Sequence, residues 1–454
     1  MVVSRLIGRR FTQLVDSFRA QLWPVPTIGV VLAVVAGVGL PRQEATLHKW
    51  LPVAVASGLF DGGPSAARDV LAAVSASLIT VTSLTFSLTV LTLQLGSTQY
   101  SPRLLRTFAR DGFVQLTLAV FLSTFVYALT VLRTIHDDAS DSGIFVPKFA
   151  VTVAYVMALI SVICLVLFLA HLVREIRVEG VLRTVYIDAL ASVRTMFPQA
   201  ESAAPGEPPS APPSASRLCA TSSGFLVRIK TQSVLSAAIA ANAVVRLESM
   251  PGHWLVEGTT IGFAWSTKPG AELAGERLAR LRERVDSAAR TGPERIPVQD
   301  AGYGLRQLTD VAVKALSAGI NDPTTAIHTL GYISSLLCDL AQRQLGPEIL
   351  YDDDGVARVI LRHPDFAELL DMAISQPRRY GAADPEVLSK LLRLLHEVAW
   401  WTSTAEQRSA IGDQLSRLQH TVSRQRFDTT EMEDLAQLGQ RVEARLADGG
   451  QPRL

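Results

Sequence analysis

Apolar positions in this chain gather into four runs, at about 22–40, 70–95, 113–132 and 149–172, none of which contains Asp, Glu, Lys or Arg. Each run reaches the roughly 20 residues that cross about 30 Å of hydrocarbon, so the pattern predicts four transmembrane helices. After His171 no stretch approaches that length and purity. The expected fold class is a multi-pass α-helical membrane protein followed by a cytosolic α+β region. Residues 1–21 form a cytosolic N-terminal segment and 22–173 the transmembrane domain. The N-terminus has Arg5, Arg9 and Arg10 but no short apolar core with a small-residue cleavage site, which argues against a removable signal peptide.

The second run carries polar residues in a regular order. At 100° per residue, Ser75, Thr82, Thr85, Thr89 and Thr92 share one stripe. Thr80, Ser83, Ser87 and Gln94 share another, roughly opposite. Hydroxyls in a membrane helix bond their own i−4 carbonyl, a neighbouring helix or water. The stripes therefore read either as packing glue or as the lining of a conduction path. The first is the longer, and is expected to face a shared path while the second packs against the other spans. Just beyond, Ser101-Pro102 predicts a helix start. Arg103, Arg106 and Arg110 then share one face, either snorkelling to headgroups or forming, with Gln99, a basic cytoplasmic mouth.

Behind the spans the pattern changes. Residues 174–217 read as a connector that includes the Pro/Ser/Ala-rich loop QAESAAPGEPPSAPPSAS, a flexible tether. Residues 218–268 form a small β-rich module, with strands expected at 224–229, 243–250 and 254–265, a short helix at 234–243 and a turn at Pro251-Gly252. From Ala271 everything reads helical, giving a helical domain over 269–454. Three helices are expected to open with proline at or near their first residue, at Asp322-Pro323, His363-Pro364 and Asp384-Pro385. Asp352-Asp353-Asp354 lacks the alternating ligands of a calcium loop and is expected to be a solvated turn. Trp400-Trp401 suits an interface or a core.

Composition narrows the function classes. Of 454 residues, 48% are hydrophobic and only 19% charged, which excludes disorder as the main state. Forty-three basic residues against 42 acidic ones leave a net charge of +1, with no excess to pair with nucleic-acid phosphates. The three cysteines lie far apart and predict neither a disulfide framework nor a thiolate metal site. The eight histidines form no metal-ligand pair at helical spacing, and HExxH, P-loop, GxSxG and GxGxxG signatures are missing. No catalytic residue, metal or cofactor is expected.

Lys and Arg flanking the spans give an orientation. Ten lie on one side, from Arg5 to Arg183, and five on the other: Arg42, Lys49, Arg68, Arg133 and Lys148. The bias puts both termini in the cytoplasm, with Asp137, Asp138 and Asp141 outside. The use of 37 Arg against 6 Lys suits a GC-rich bacterial genome, so the expected membrane is a bacterial plasma (inner) membrane.

Three blocks, SLTFSLTVLTLQLGSTQYSPRLLRTFARD (83–111), QDAGYGLRQLTDVAVKALSAGINDPTTA (299–326) and, more weakly, SGFLVRIKTQSV (223–234) with PGHWLVEGT, together resemble the bacterial predicted membrane protein family known as domain of unknown function 2254. Ala318 stands where the family form usually has proline. The resemblance implies a multi-pass membrane protein with a cytosolic domain, and implies no activity.

The run Gly319-Ile320-Asn321-Asp322-Pro323-Thr324-Thr325 is therefore read physically. Gly319 suits a positive φ at the end of one helix. Asp322 suits the N-cap of the next, accepting from the Thr325 backbone, with Pro323 at the first helical position. A compact helix joint is one reading. A site for a small anionic ligand is the other, since Asn321, Thr324 and Thr325 crowd a helix N-terminus. Two functions fit the whole chain: a homo-oligomeric ion channel or pore gated by its cytosolic domain, or a membrane-anchored scaffold without conduction. A membrane enzyme acting on lipid or nucleotide ranks third. The expected partners are the lipid bilayer, further copies of the chain, and ions or a small anion.

Overall fold

A computed structural model of the chain describes residues 23–44, 59–99, 111–136, 145–175, 178–199, 208–268 and 270–448. The chain divides into two compact units, Met1–Arg177 and Val178–Leu454.

The first unit contains helices α1 (Pro24–Arg42), α2 (Pro64–Gln99), α3 (Gly112–Leu132) and α4 (Lys148–Glu175). All four are long and apolar enough to cross a membrane, and they begin and end within a few residues of the expected runs except at the first turns of α2. At 36 residues, α2 is about 54 Å long at 1.5 Å per residue and outreaches the hydrocarbon layer. Helix α3 is the hub, packing on α1, α2 and α4. Between α1 and α3 the contact is made by small residues four apart, Gly29, Ala33 and Gly37. A methyl group on Gly37 would lie 2.8 Å from Thr130 Cβ, so only glycine allows this approach. The core gathers Leu71, Tyr127, Val131, Ala150 and Val151, and the Tyr127 hydroxyl donates to the Ala150 carbonyl at 3.1 Å. At one end, Lys148 pairs with Asp61 at 2.7 Å and the Phe149 N–H donates to Glu44 at 2.8 Å. Helix α4 turns Tyr155, Val162, Ile163 and Val166 outward, a surface suited to lipid.

The second unit opens with an amphipathic helix, α5 (Val178–Met196), within the stretch read as connector. It buries Val181, Leu182, Val185, Ala189 and Val193 against α8 (Tyr303–Ala315) and α9 (Pro323–Ala341). Its 3.6-residue spacing is the reason it folds there. The β-rich part has two sheets. Strands β1 (Ser216–Cys219), β3 (Ala243–Leu247), β5 (Thr260–Ser266), β7 (Glu348–Tyr351) and β8 (Ala357–Leu361) make a five-stranded sheet in the order β1-β5-β3-β8-β7. Only the β3–β8 pair is parallel, with Val245 opposite Val359. Strands β4 (Trp254–Leu255), β2 (Gly224–Ile229) and β6 (Ala289–Gly292) make a three-stranded antiparallel sheet. Helices α6 (Thr231–Ala241) and α7 (Gly275–Ala288) close a core around Leu226, Val234, Val245, Leu281 and Val359.

The expectation that everything after Ala271 is helical is thus corrected: β6, β7 and β8 lie beyond it. The three acidic residues are also not simply solvated. Asp353 and Asp354 sit exposed in the β7–β8 turn, but the Asp352 side chain is largely buried and pairs with Arg358 at 2.6 Å. Arg358 in turn donates to Asn242, the left-handed C-cap of α6, at 3.0 Å.

The rest is helical: α8, α9, α10 (Phe366–Tyr380), α11 (Pro385–Ala399), α12 (Ala405–Ser423) and α13 (Thr429–Ala447). Side-chain caps set most starts. Asp384 caps α11 with Pro385 behind it, and Asp365, Thr404 and Asp428 each form a capping box with the Glu or Gln three residues on. Pro364 therefore precedes the cap of α10 and is not its first helical residue. Trp400 and Trp401 both remain partly exposed, and the Arg445 guanidinium lies 3.7 Å from the Trp400 ring centre.

Candidate functional site

The two polar stripes of α2 are placed in different environments. Ser75, Thr82, Thr85, Thr89 and Thr92 are all buried inside the first unit. Ser75 donates to the Leu71 carbonyl at 2.8 Å, Thr82 to Leu78 at 2.6 Å, Thr89 to Thr85 at 2.8 Å and Thr92 to Leu88 at 2.8 Å. These i−4 bonds satisfy hydroxyls that packing has removed from water. Thr85 Oγ1 is buried and meets no hydrogen-bond partner. Thr80, Ser83, Ser87 and Gln94 are exposed instead. The expectation for the two stripes is therefore reversed: the longer one packs within the protomer, and the shorter one faces outward. Sequence spacing defines both faces equally well, and only the position of α3 and α4 decides which is covered.

The inner stripe belongs to a wider hydroxyl-rich seam. Thr117 and Thr124 of α3 and Ser161 of α4 are buried, and the Thr124 and Ser161 hydroxyls lie 3.2 Å apart. Each also donates to its own i−4 carbonyl.

Of the expected basic mouth, Arg103, Arg106 and Arg110 lie outside the described residues, as does the side chain of Gln99. Following them in the sequence, Asp111 makes a contact that no sequence pattern announced. Asp111 caps α3, accepting from the Phe113 N–H at 2.9 Å, and its other oxygen meets His171 Nε2 of α4 at 2.5 Å. The His171 ring also lies against Phe113, with centres 4.9 Å apart. The two residues are 60 positions apart, and no local pattern links them.

The Asn-Asp-Pro run forms the turn between α8 and α9. Asp322 accepts from the Thr325 N–H at 3.0 Å, and its own N–H donates to the Ala315 carbonyl at 2.8 Å. The Thr325 hydroxyl and backbone N–H hold the Asp322 carboxyl below the ordinary carboxylate range. Pro323 takes the first helical position. The left-handed residue is Asn321, at φ +50°, and not Gly319 as expected. Gly319, Asn321 and Thr324 are exposed, while Thr325 is half-buried.

The PGHWL and QDAGYG blocks meet in space. Arg295 grips the buried Asp300 with two hydrogen bonds, at 2.7 and 2.9 Å, and this pair occupies the volume that a side chain on Gly252 would need. Burial and the nearby Arg362 and Arg295 hold His253 below the usual imidazole range. Among the described residues no group of three or more His, Cys, Asp or Glu side chains is arranged to hold a metal ion.

Residues 19–397 match the family model described as "Predicted membrane protein (DUF2254)". The chain is also 34% identical over 438 residues to uncharacterized proteins of Mycobacterium tuberculosis and Mycobacterium bovis, covering 95% of this chain and 81% of each relative. No solved structure matches it. Four apolar spans, the blocks at 83–111 and 299–326 and a family match over most of the length lead to one assignment: the chain belongs to the DUF2254 family of predicted membrane proteins.

Proposed function

We propose that the protein is a homo-oligomeric ion pore of the bacterial plasma membrane, gated by its C-terminal unit. The observation that carries this reading is the outward stripe of α2. Lipid tails offer hydroxyls nothing to bond. Thr80 is met by its own Ala76 carbonyl at 3.0 Å, whereas Ser83 and Ser87, turned outward on the same face, suit contact with water or with further copies. Four spans are too few to enclose an aqueous path, whereas a closed ring of copies does so at its axis. In such a ring Ser83 and Ser87 face the axis, and selectivity comes from hydroxyls and carbonyls because no span core carries a carboxylate. The inner stripe then fixes α2 against α3 and α4. Two residues separate the end of α4 from α5, the first helix of the C-terminal unit, so movement of the α8–α9 pair on which α5 packs has a short route along the chain to the spans.

Ion flux into liposomes carrying the purified protein tests this reading. Wild type and Thr85→Val conduct, and Ser87→Leu abolishes flux while crosslinking still captures the ring, since apolar bulk promotes dewetting. Absence of wild-type flux at every voltage and pH would transfer the assignment to a scaffold held in the membrane by its spans. Cysteine labelling tests the orientation: a cysteine at Ser140 reacts from outside the cell, and one at Ser214 only after permeabilisation.

A further inference from the structure

Between α1 and α3, at the end where both helices finish, lies an open groove of about 970 Å³. Its walls are apolar, with Val34 and Val38 from α1 facing Val126 and Leu129 from α3. Val34 and Leu129 are also exposed on the surface that lipid would cover. Its rim is basic: Arg42 from the last turn of α1, Arg133 just past α3, and His136. A backbone bridge between His136 and Phe145 closes this rim. Among the described residues neither the Arg42 nor the Arg133 guanidinium has an acidic or hydrogen-bonding partner. The groove exists because Gly37 lets the helices touch at Thr130 while the valines on either side keep the surfaces apart.

We infer that this groove binds one anionic phospholipid, its phosphodiester between Arg42 and Arg133 and one acyl chain along Val34, Val38 and Leu129. The chemistry is complementary at both ends, as two cations sit where a span leaves the hydrocarbon and an apolar channel runs from them along the helices. The guanidiniums also offset the negative C-terminal ends of their own helices, so the side chains and not the backbone must hold the phosphate.

The test is native mass spectrometry of the full chain in detergent, titrated with phosphatidylglycerol or phosphatidylcholine. One phosphatidylglycerol per chain is expected to bind in preference to phosphatidylcholine. The Arg42→Gln/Arg133→Gln variant should lose about thirtyfold in phosphatidylglycerol affinity, because each interfacial cation contributes a factor of about five. Its circular dichroism should stay unchanged, and Arg42→Lys/Arg133→Lys should keep most of the preference. Equal binding of both lipids, or equal affinity of the glutamine variant, overturns the inference. So does competition by soluble glycerol phosphate at the same concentration as lipid, which would make the site one for a free anion.

Discussion

Gly252 and Asp300 share one space: at φ +94° the glycine presents its bare Cα to a carboxylate that Arg295 already holds from the other side. An alanine there would be strained in its backbone and would push on a buried ion pair. Gly252→Ala is expected to cost about 3 kcal/mol, the size of strain combined with a disturbed buried pair. Gly258→Ala, also at positive φ but facing open space, should cost only about 1 kcal/mol. Thermal unfolding of the detergent-solubilised protein, followed by tryptophan fluorescence, separates the two; equal losses would show that Asp300 has no part in the effect.

Gly37→Leu should part α1 from α3. The first side-chain atom already meets Thr130 within 2.8 Å, and overpacking of this kind costs about 1–3 kcal/mol or more. Gly39→Leu, with no neighbour within 4 Å, is the matched control on the same helix. The readout is detergent resistance of the purified protein, which should fall for the first variant and hold for the second.

Asp322→Ala should remove the cap of α9 and about 1 kcal/mol of stability at neutral pH. The carboxyl is held below its unfolded value, so its contribution is present above about pH 4 and is lost as pH falls through the folded value. The difference between wild type and variant should therefore shrink on acidification. A gap that stays constant from pH 6 down to about pH 3 would mean that the ionised carboxylate is not what caps the helix.

Cys338 should resist alkylation. Burial, and then the neighbouring Glu397, push its thiol up to about 11, which leaves about a hundredfold less thiolate at neutral pH than a thiol at 9.0. Cys219 is exposed on β1. Maleimide labelling read by peptide mass spectrometry should modify Cys219 within the folded protein and Cys338 only after denaturation. Early labelling of Cys338 would place α9 and α11 apart.

The spans were legible because a run free of charge over some 20 residues has few other uses, and their ends followed from where Arg, Asp or Pro return. The caps at Asp322 and Asp384 were equally local. What escaped depends on distant neighbours. Strands β7 and β8 are four and five residues long, and β8 exists because it lies beside β3, more than a hundred residues earlier. Asp352 looks like any acidic turn residue until Arg358 and Asn242 are brought to it. The two faces of α2 were readable as faces, but a threonine bonds its own carbonyl whether helix or water lies opposite. Only the position of α3 and α4 distinguishes them.

The parallel β3–β8 pair has a consequence for how the chain is made. When the ribosome has delivered β1 to β6, the sheet still lacks the strand that belongs beside β3, and that edge keeps its N–H and C=O groups unpaired. Synthesis must continue through α8 and α9 to Leu361 before the edge is covered. At about 5–20 residues per second this leaves several seconds in which a nascent strand can join a neighbouring chain, so premature termination between 293 and 347 should leave the four spans attached to an unfinished C-terminal unit that aggregates.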